Sequence, residues 1–554
     1  MMKHTKKIHM DSQGLLKDET GMIIVMAVLL LTVVLLFAVT ATITATSEAR
    51  FSGRSYQETQ AFFLADGLTE FGASTLYNLL QTNSSPSVAT LNLITPPSPP
   101  AGYTLNQFII QKIGTFYPAT ITEGDYMGLS AHIQKYEVVC EVSRGNCHAR
   151  ISRGLEHQAI PLFQFGMFYE NDLELFPDGN MLFHGRVHSN ANVYIGATNQ
   201  LKLNSSLTAV GRICHWRKDG TLPTPSGAVM IMDYWGTHQN MNRGGYWLDS
   251  SRPSWQTEAT SLWGGTVRDS SMGVHHLQFV LPEGYTNQID VIQRGLFTDP
   301  PELRNARYYW RASIRVLDGV AYDTMGNVIN MGVGTLGTGS FYDQREQRTM
   351  HTLEFDIAAM NANGTAPPNS IIYISGSNMG DAVRIKNGTR LPDQGLTIAS
   401  DNPVYVWGDY NITQKRSAAI ICDAFTVLSA NWLDSKSTLF YTNRVACETD
   451  VRCAVMTGNR ETILNGGYSG NYNGGGEGII RLLEKWTNVW LRYRGSLCVL
   501  WYSAQATGAW QSGVYYSPPK RDWSIDTEFL NPNFWPPGSP MLNTVQRGTW
   551  KQIG

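Results

Sequence analysis

The sequence predicts a mainly β protein carried on one long N-terminal transmembrane α-helix. Three observations predict it. Residues 22–45, MIIVMAVLLLTVVLLFAVTATITA, hold no charge. The 554 residues include 52 glycines and 11% aromatics, which points to many tight turns between aromatic-rich strands. Beyond residue 163, short apolar runs such as SIIYISGS, AVRIKNG and AAIICDAFTVLS alternate with turns at Asn, Asp and Gly.

The uncharged stretch of 24 residues makes a helix of roughly 36 Å, enough to cross a bilayer with some tilt. Lys3, Lys6, Lys7 and Lys17 precede it, so the positive-inside rule keeps residues 1–21 in the cytoplasm and sends the rest to the far side. A cleaved secretory signal is the competing reading, with Thr42, Ala45 and Ser47 as small residues near a cut. The helix is expected to continue over residues 22–82, because Phe62, Leu64, Leu68, Phe71, Leu76 and Leu79 recur near helical spacing without proline.

Residues 83–102 are rich in Ser, Thr and Pro and read as a linker. Residues 103–161 suggest a small antiparallel β section, and residues 162–540 a large β-rich head. Within the head, a Trp-rich insertion spans about 214–282, and residues 541–554 are left as a tail. Short strands turned by Asn, Asp and Gly fit a right-handed parallel β-helix, although no period is strict enough to establish coils, and a β-sandwich is the alternative.

The side chains offer few sites for chemistry. In FHGRVHSNANVYIG, residues 183–196, a single strand would set His184 and His188 roughly 13 Å apart, too far to share a metal ion. Trp235, Trp247, Trp255 and Trp263 stand among Asn, Gln, Ser and Gly, which suits stacking on a surface glycan, or else a small satellite core under long loops. Cys140 with Cys147, and Cys447 with Cys453, flank short polar turns and allow disulfides outside the cytoplasm; isolated buried thiols are the other reading. Asp172, Glu174 and Asp178 read as a solvated acidic face or a calcium site. Asp343 and Glu346 would serve glycoside hydrolysis only at the right separation. The glycine-rich stretch 465–478 lacks the ending of a P-loop, and neither G-x-S-x-G nor H-E-x-x-H occurs. We therefore expect no catalytic residue, no cofactor and no metal. A net charge of −2 without a basic stripe beyond the first twenty residues excludes nucleic acid as a partner.

A short basic leader ending in Gly21, the apolar run MIIVMAVLLLTVVLLF, the pair Glu48 and Arg50, and AFFLADGLTEFG at 61–72 together resemble the N-terminus of PilX-type minor pilins of type IV pili. The stretches at 168–196, PVYVWGDYN, RLLEKW, YRGSL and PPKRDWSIDTEF resemble an uncharacterised, pilus-associated region that accompanies such N-termini. The resemblance implies cleavage by prepilin peptidase after Gly21 and N-methylation of Met22. It also implies partners among other minor and major pilins through the N-terminal helix.

One departure stands out. Major pilins carry a glutamate at the fifth mature position, whose charge pairs with a neighbour's terminal amine, and here Met26 takes that place. A subunit without the acid suits the first position of a filament. A head of this size would collide with neighbours along a shaft, so it too suits a tip. The expectation is a non-enzymatic tip or initiating subunit of a type IV pilus or pseudopilus. It would wait in the bacterial inner membrane, single-pass with its C-terminus outside the cytoplasm, and then reach the pilus tip or cell surface. The alternative is a membrane-anchored carbohydrate-binding or carbohydrate-active protein on a β-helix.

Overall fold

The computed structural model describes residues 15–83, 85–124, 126–220, 227–282, 285–378, 380–464 and 472–553; most of the basic leader lies outside them. The chain is mainly β with one long apolar helix, α1 (Leu15–Thr82), of 68 residues. Among the described residues this is the one helix long and apolar enough to cross a membrane; its best window has a mean hydropathy of 3.2 and is wholly exposed. Four threonine hydroxyls in the apolar half, those of Thr32, Thr40, Thr42 and Thr46, are satisfied within the helix. Thr42 and Thr46 each donate to the carbonyl four residues back at 2.7 Å, which lowers the cost of a hydroxyl on an apolar rod.

The far end of α1 lies on an antiparallel sheet. Strands β1 (Thr104–Thr120), β2 (Ser130–Arg144) and β3 (Cys147–Pro161) form a meander, and the C-terminal strand Met541–Ile553 pairs with the outer edge of β3. Residues 541–553 are thus not a tail. Without them β3 would offer a long row of unpaired backbone groups; Leu542 and Asn543 are buried in this pairing.

The body is a stack of short strands in parallel ladders. One sheet has eleven strands, running from Val267–Arg268 through Met167–Tyr169 and Leu497–Tyr502 to Ile314–Leu317 and Val320–Tyr322. Sheets of seven, six and three strands share the stack, and none closes on itself. Among the described residues of the body, antiparallel strand pairs stand only at sheet ends, as where Leu336–Asp343 meets Arg348–Asp356. Antiparallel facing sheets, as in a sandwich, do not describe these ladders.

The first passes repeat every twenty residues. Met167, Val187 and Leu207 stand in register, as do Leu173, Val193 and Ile213. A polar ladder tracks them: the Asn192 amide donates to Asp172 Oδ1, and the Arg212 amide to Asn192 Oδ1, each at 2.9 Å. This first block sits on the last one, because Met167–Tyr169 pairs with Leu497–Tyr502 and Met181–His184 with Lys520–Ser524. Side chains such as Val187, Leu207, Ile398, Ile420, Val455 and Leu497 fill the shared interior with essentially no exposure.

Candidate functional site

The half-buried end of α1 is where the helix meets the rest of the molecule. Ala61, Ala65 and Leu68 pack on Cys140, Val142, Ala149 and Ile151. One turn further, Ala73, Leu76 and Leu80 pack on Ile110, Tyr136, Val138 and Leu155. Small residues set this closeness: a Cβ on Gly72 would stand 2.8 Å from both the Phe108 ring and the Val138 methyl. Polar contacts rim the seam. Glu70 takes Arg153 at 2.5 Å and Arg547 at 3.0 Å, Asp66 accepts from the Trp550 indole at 2.8 Å, and Gln60 accepts from Arg144 at 2.9 Å. His157 on β3 is fully buried beside Asn543, and burial pulls its pKa down to about 4. Upstream of Ala61 the same helix is exposed almost all round. It is an apolar rod held at one end, an arrangement that suits insertion into lipid or between other helices.

Gly21, Met22 and Met26 lie on that exposed rod, with no acidic side chain between residues 22 and 47. The tryptophans do not form one patch. Trp235 is 68% exposed beside exposed Tyr234, whereas Trp263 is fully buried and Trp255 nearly so. Trp247 is half-buried and stacks on His215 with centroids 3.4 Å apart. The glycan-contact reading of Trp255 and Trp263 is therefore corrected in favour of the core reading. A short helix, Trp255–Trp263, carries Trp255, Ala259 and Trp263 four residues apart on one face, and that face closes the main core. This four-residue spacing is the signal that composition concealed.

All seven cysteines are free thiols. Register explains the first pair, since Cys140 faces Ile151 while Cys147 faces Arg144. In the second, Cys453 is buried in the core while Cys447 is only half-buried. The single-strand reading of the two histidines is corrected as well. Gly185, at φ 122°, turns a corner between Met181–His184 and Val187–Ser189, which join different sheets. His184 stays outside beside Asn204, while His188 is buried, bonded to Thr208 at 2.8 Å and Asn190 at 3.1 Å, with its pKa lowered by burial to about 4.

The acidic stretch is not one solvated face. Glu174 is buried, accepts from Thr462, and is held above the ordinary carboxylate range by burial, while Asp172 pairs with Lys218 at 2.9 Å. Asp343 accepts from the Tyr405 hydroxyl, and Glu346 pairs with Arg481 at 2.6 Å, so both carboxylates are spent on the fold. Among the described residues no three His, Cys, Asp or Glu side chains gather as a metal site.

No protein-family model matches the chain, and no curated protein matches it. Among solved structures, the competence-associated pilin ComZ from Thermus thermophilus aligns with 90% of this chain and 97% of its own, at 10% identity and a TM-score of 0.24. A superposition this loose carries no weight for fold or role.

Proposed function

We propose that the chain is a structural subunit of a type IV pilus or pseudopilus, a minor subunit at the tip or start of the filament that displays its β head outside the cell. One observation carries the reading. A single unbroken helix passes from an exposed, uncharged rod to a half that docks on an antiparallel sheet, so the rod is left for lipid before assembly and for other pilin helices after it. Gly21 and Met22 are the processing site for prepilin peptidase, and Met26 in place of an acid removes the partner for a neighbour's amine above it. The role is assembly and display, without catalysis.

Mass spectrometry of the N-terminal peptide from native protein tests the reading. The expected peptide begins at N-methylated Met22. A start at Met1 or Met2 would leave a plain membrane anchor, and a start beyond Ala45 would mean a secreted protein; either would sink the pilin reading.

A further inference from the structure

One sheet edge of the body is left without the usual protection. Strand Leu336–Asp343 ends the six-stranded sheet, paired on one side with Arg348–Asp356 and, among the described residues, with no strand on the other. Exposed edges are ordinarily blunted by charge, proline or a bulge. The long edge strand β1 has all three: Lys112, Pro118, and a register shift between Ile113 and Tyr117 around Gly114 at φ 70°. Leu336–Asp343 pairs without a register shift, and residues 324–342 hold neither a charge nor a proline.

Register shows which backbone groups face outward. Hydrogen bonding in an antiparallel pair alternates along the strand. The Asp356 amide donates to the Thr335 carbonyl at 2.9 Å, so the odd-numbered residues of Leu336–Asp343 bond to the neighbouring strand. The even-numbered ones point away, and the Tyr342 amide accordingly donates to Ser437 Oγ at 3.0 Å. Thr338 and Ser340, both exposed, therefore turn their N–H and C=O groups outward. Apolar side chains stand out of the same uncharged stretch at Met325, Val328 and Val333, the last 93% exposed.

We propose that this edge takes up an extended segment of another protein as an added strand, a segment without charge that carries large side chains, aromatic above all, at alternate positions. Backbone groups spaced along a strand are matched by the backbone of another strand. Gly337 and Gly339 fix the side chains: they leave bare backbone on one face, which large cross-strand residues, aromatic ones especially, cover. Gly339 has no room for a side chain of its own, since a Cβ there would stand 2.4 Å from Glu354 Oε1. Glu354 is shared between Arg384 and Lys386, so the ions beneath the glycines are already paired. A second copy of this chain is a poor match, because the same edge offers glycine, threonine and serine while its Phe341 is already buried. The edge belongs to the head, and its pairing does not depend on how the N-terminus is processed.

Random dodecapeptides displayed on phage test this, selected on the full chain in detergent micelles with empty micelles as counter-selection. The selected peptides should be uncharged, with large apolar residues at alternate positions, and should slow hydrogen exchange over residues 336–340. Methylating the backbone nitrogens of one alternate set of peptide residues should abolish binding, and methylating the other set should spare it, because only one set faces the edge. Thr338→Pro removes an outward N–H that the ladder to Arg348–Asp356 does not use, and should weaken binding at least tenfold. Ser340→Lys, a charge at an exposed position, should do the same with far-UV circular dichroism unchanged, which keeps the test alive should the proline variant misfold. The proposal fails if no peptide is selected, if both variants bind as tightly as wild type, or if the two methylated sets bind equally. Sedimentation showing the chain paired with itself, and released by Ser340→Lys, would give the edge to a second copy and overturn the proposed partner.

Discussion

Two glutamates keep the same company in two parts of the molecule. Glu70, on the docked half of α1, stands between Arg153 and Arg547; Glu346, in the stack, pairs with Arg481 while Arg345 sits close by. Their distances are alike, 2.5 Å for Glu70 to Arg153 and 2.6 Å for Glu346 to Arg481. Their surroundings are not: the Glu70 side chain is 29% exposed and that of Glu346 is 3%. Solvent screens the first group, whereas the second is the counter-charge for guanidiniums that have left water. The docking seam and the stack are therefore held by different physics, the seam mainly by apolar fit and the stack by burial that its ions must match.

The largest difference should come from Glu346→Ala. It would leave Arg481 and Arg345 facing each other inside the stack. Arg345 is already lowered to about 9, by burial first and by Arg481 second, with Glu346 pulling the other way. Loss of one partner of a buried pair costs about 3–5 kcal/mol, and urea unfolding in detergent micelles should show a loss of that order. A loss as small as an exposed pair gives would mean that burial does not separate the two regions.

A second, smaller effect concerns protons. Glu484 lies in the stack with its oxygens on the Ser429 amide and hydroxyl, each at 2.7 Å, and burial pushes its pKa up to about 7. An unfolded chain releases that proton near the ordinary 4.5. Folding thus holds this contribution in full below about pH 4.5 and loses it as pH climbs through 7. Glu484→Gln stays neutral throughout. Its stability relative to wild type should rise between pH 4.5 and pH 8 by up to a few kcal/mol, as read by urea unfolding at both ends. Equal pH slopes in the two proteins would show that Glu484 is ionised in the fold. Glu477, also pushed to about 7 by burial, keeps its own share of the slope in both proteins.

The same contrast governs what the sequence made legible. The apolar rod is local: an uncharged stretch and a helical apolar spacing without proline are enough to announce it. The stack is not local. Its twenty-residue period runs through Met167, Val187 and Leu207, then disappears where later turns carry insertions, and the first block pairs with the last across more than three hundred residues. Strand Met541–Ile553 looked like a tail for the same reason, since its partner β3 is far away in sequence. His184 and His188 were misplaced by one glycine, because alternation assumes a straight strand and Gly185 turns the corner.

The smallest expected effect returns to Glu70. Removing it unpairs Arg153 and Arg547, but water reaches these groups, and Arg547 is mostly exposed. Glu70→Ala should cost roughly 0–1 kcal/mol and leave the global unfolding midpoint nearly unchanged. The apolar contacts of Ala61, Ala65, Leu68, Leu76 and Leu80 would still hold the helix. The change should appear locally, as faster hydrogen exchange over residues 61–80, and high salt should produce the same acceleration in the wild type by screening the pair. A global loss comparable to that of Glu346→Ala would contradict this. It would mean that the seam between helix and sheet, like the stack, depends on a charge that water does not screen.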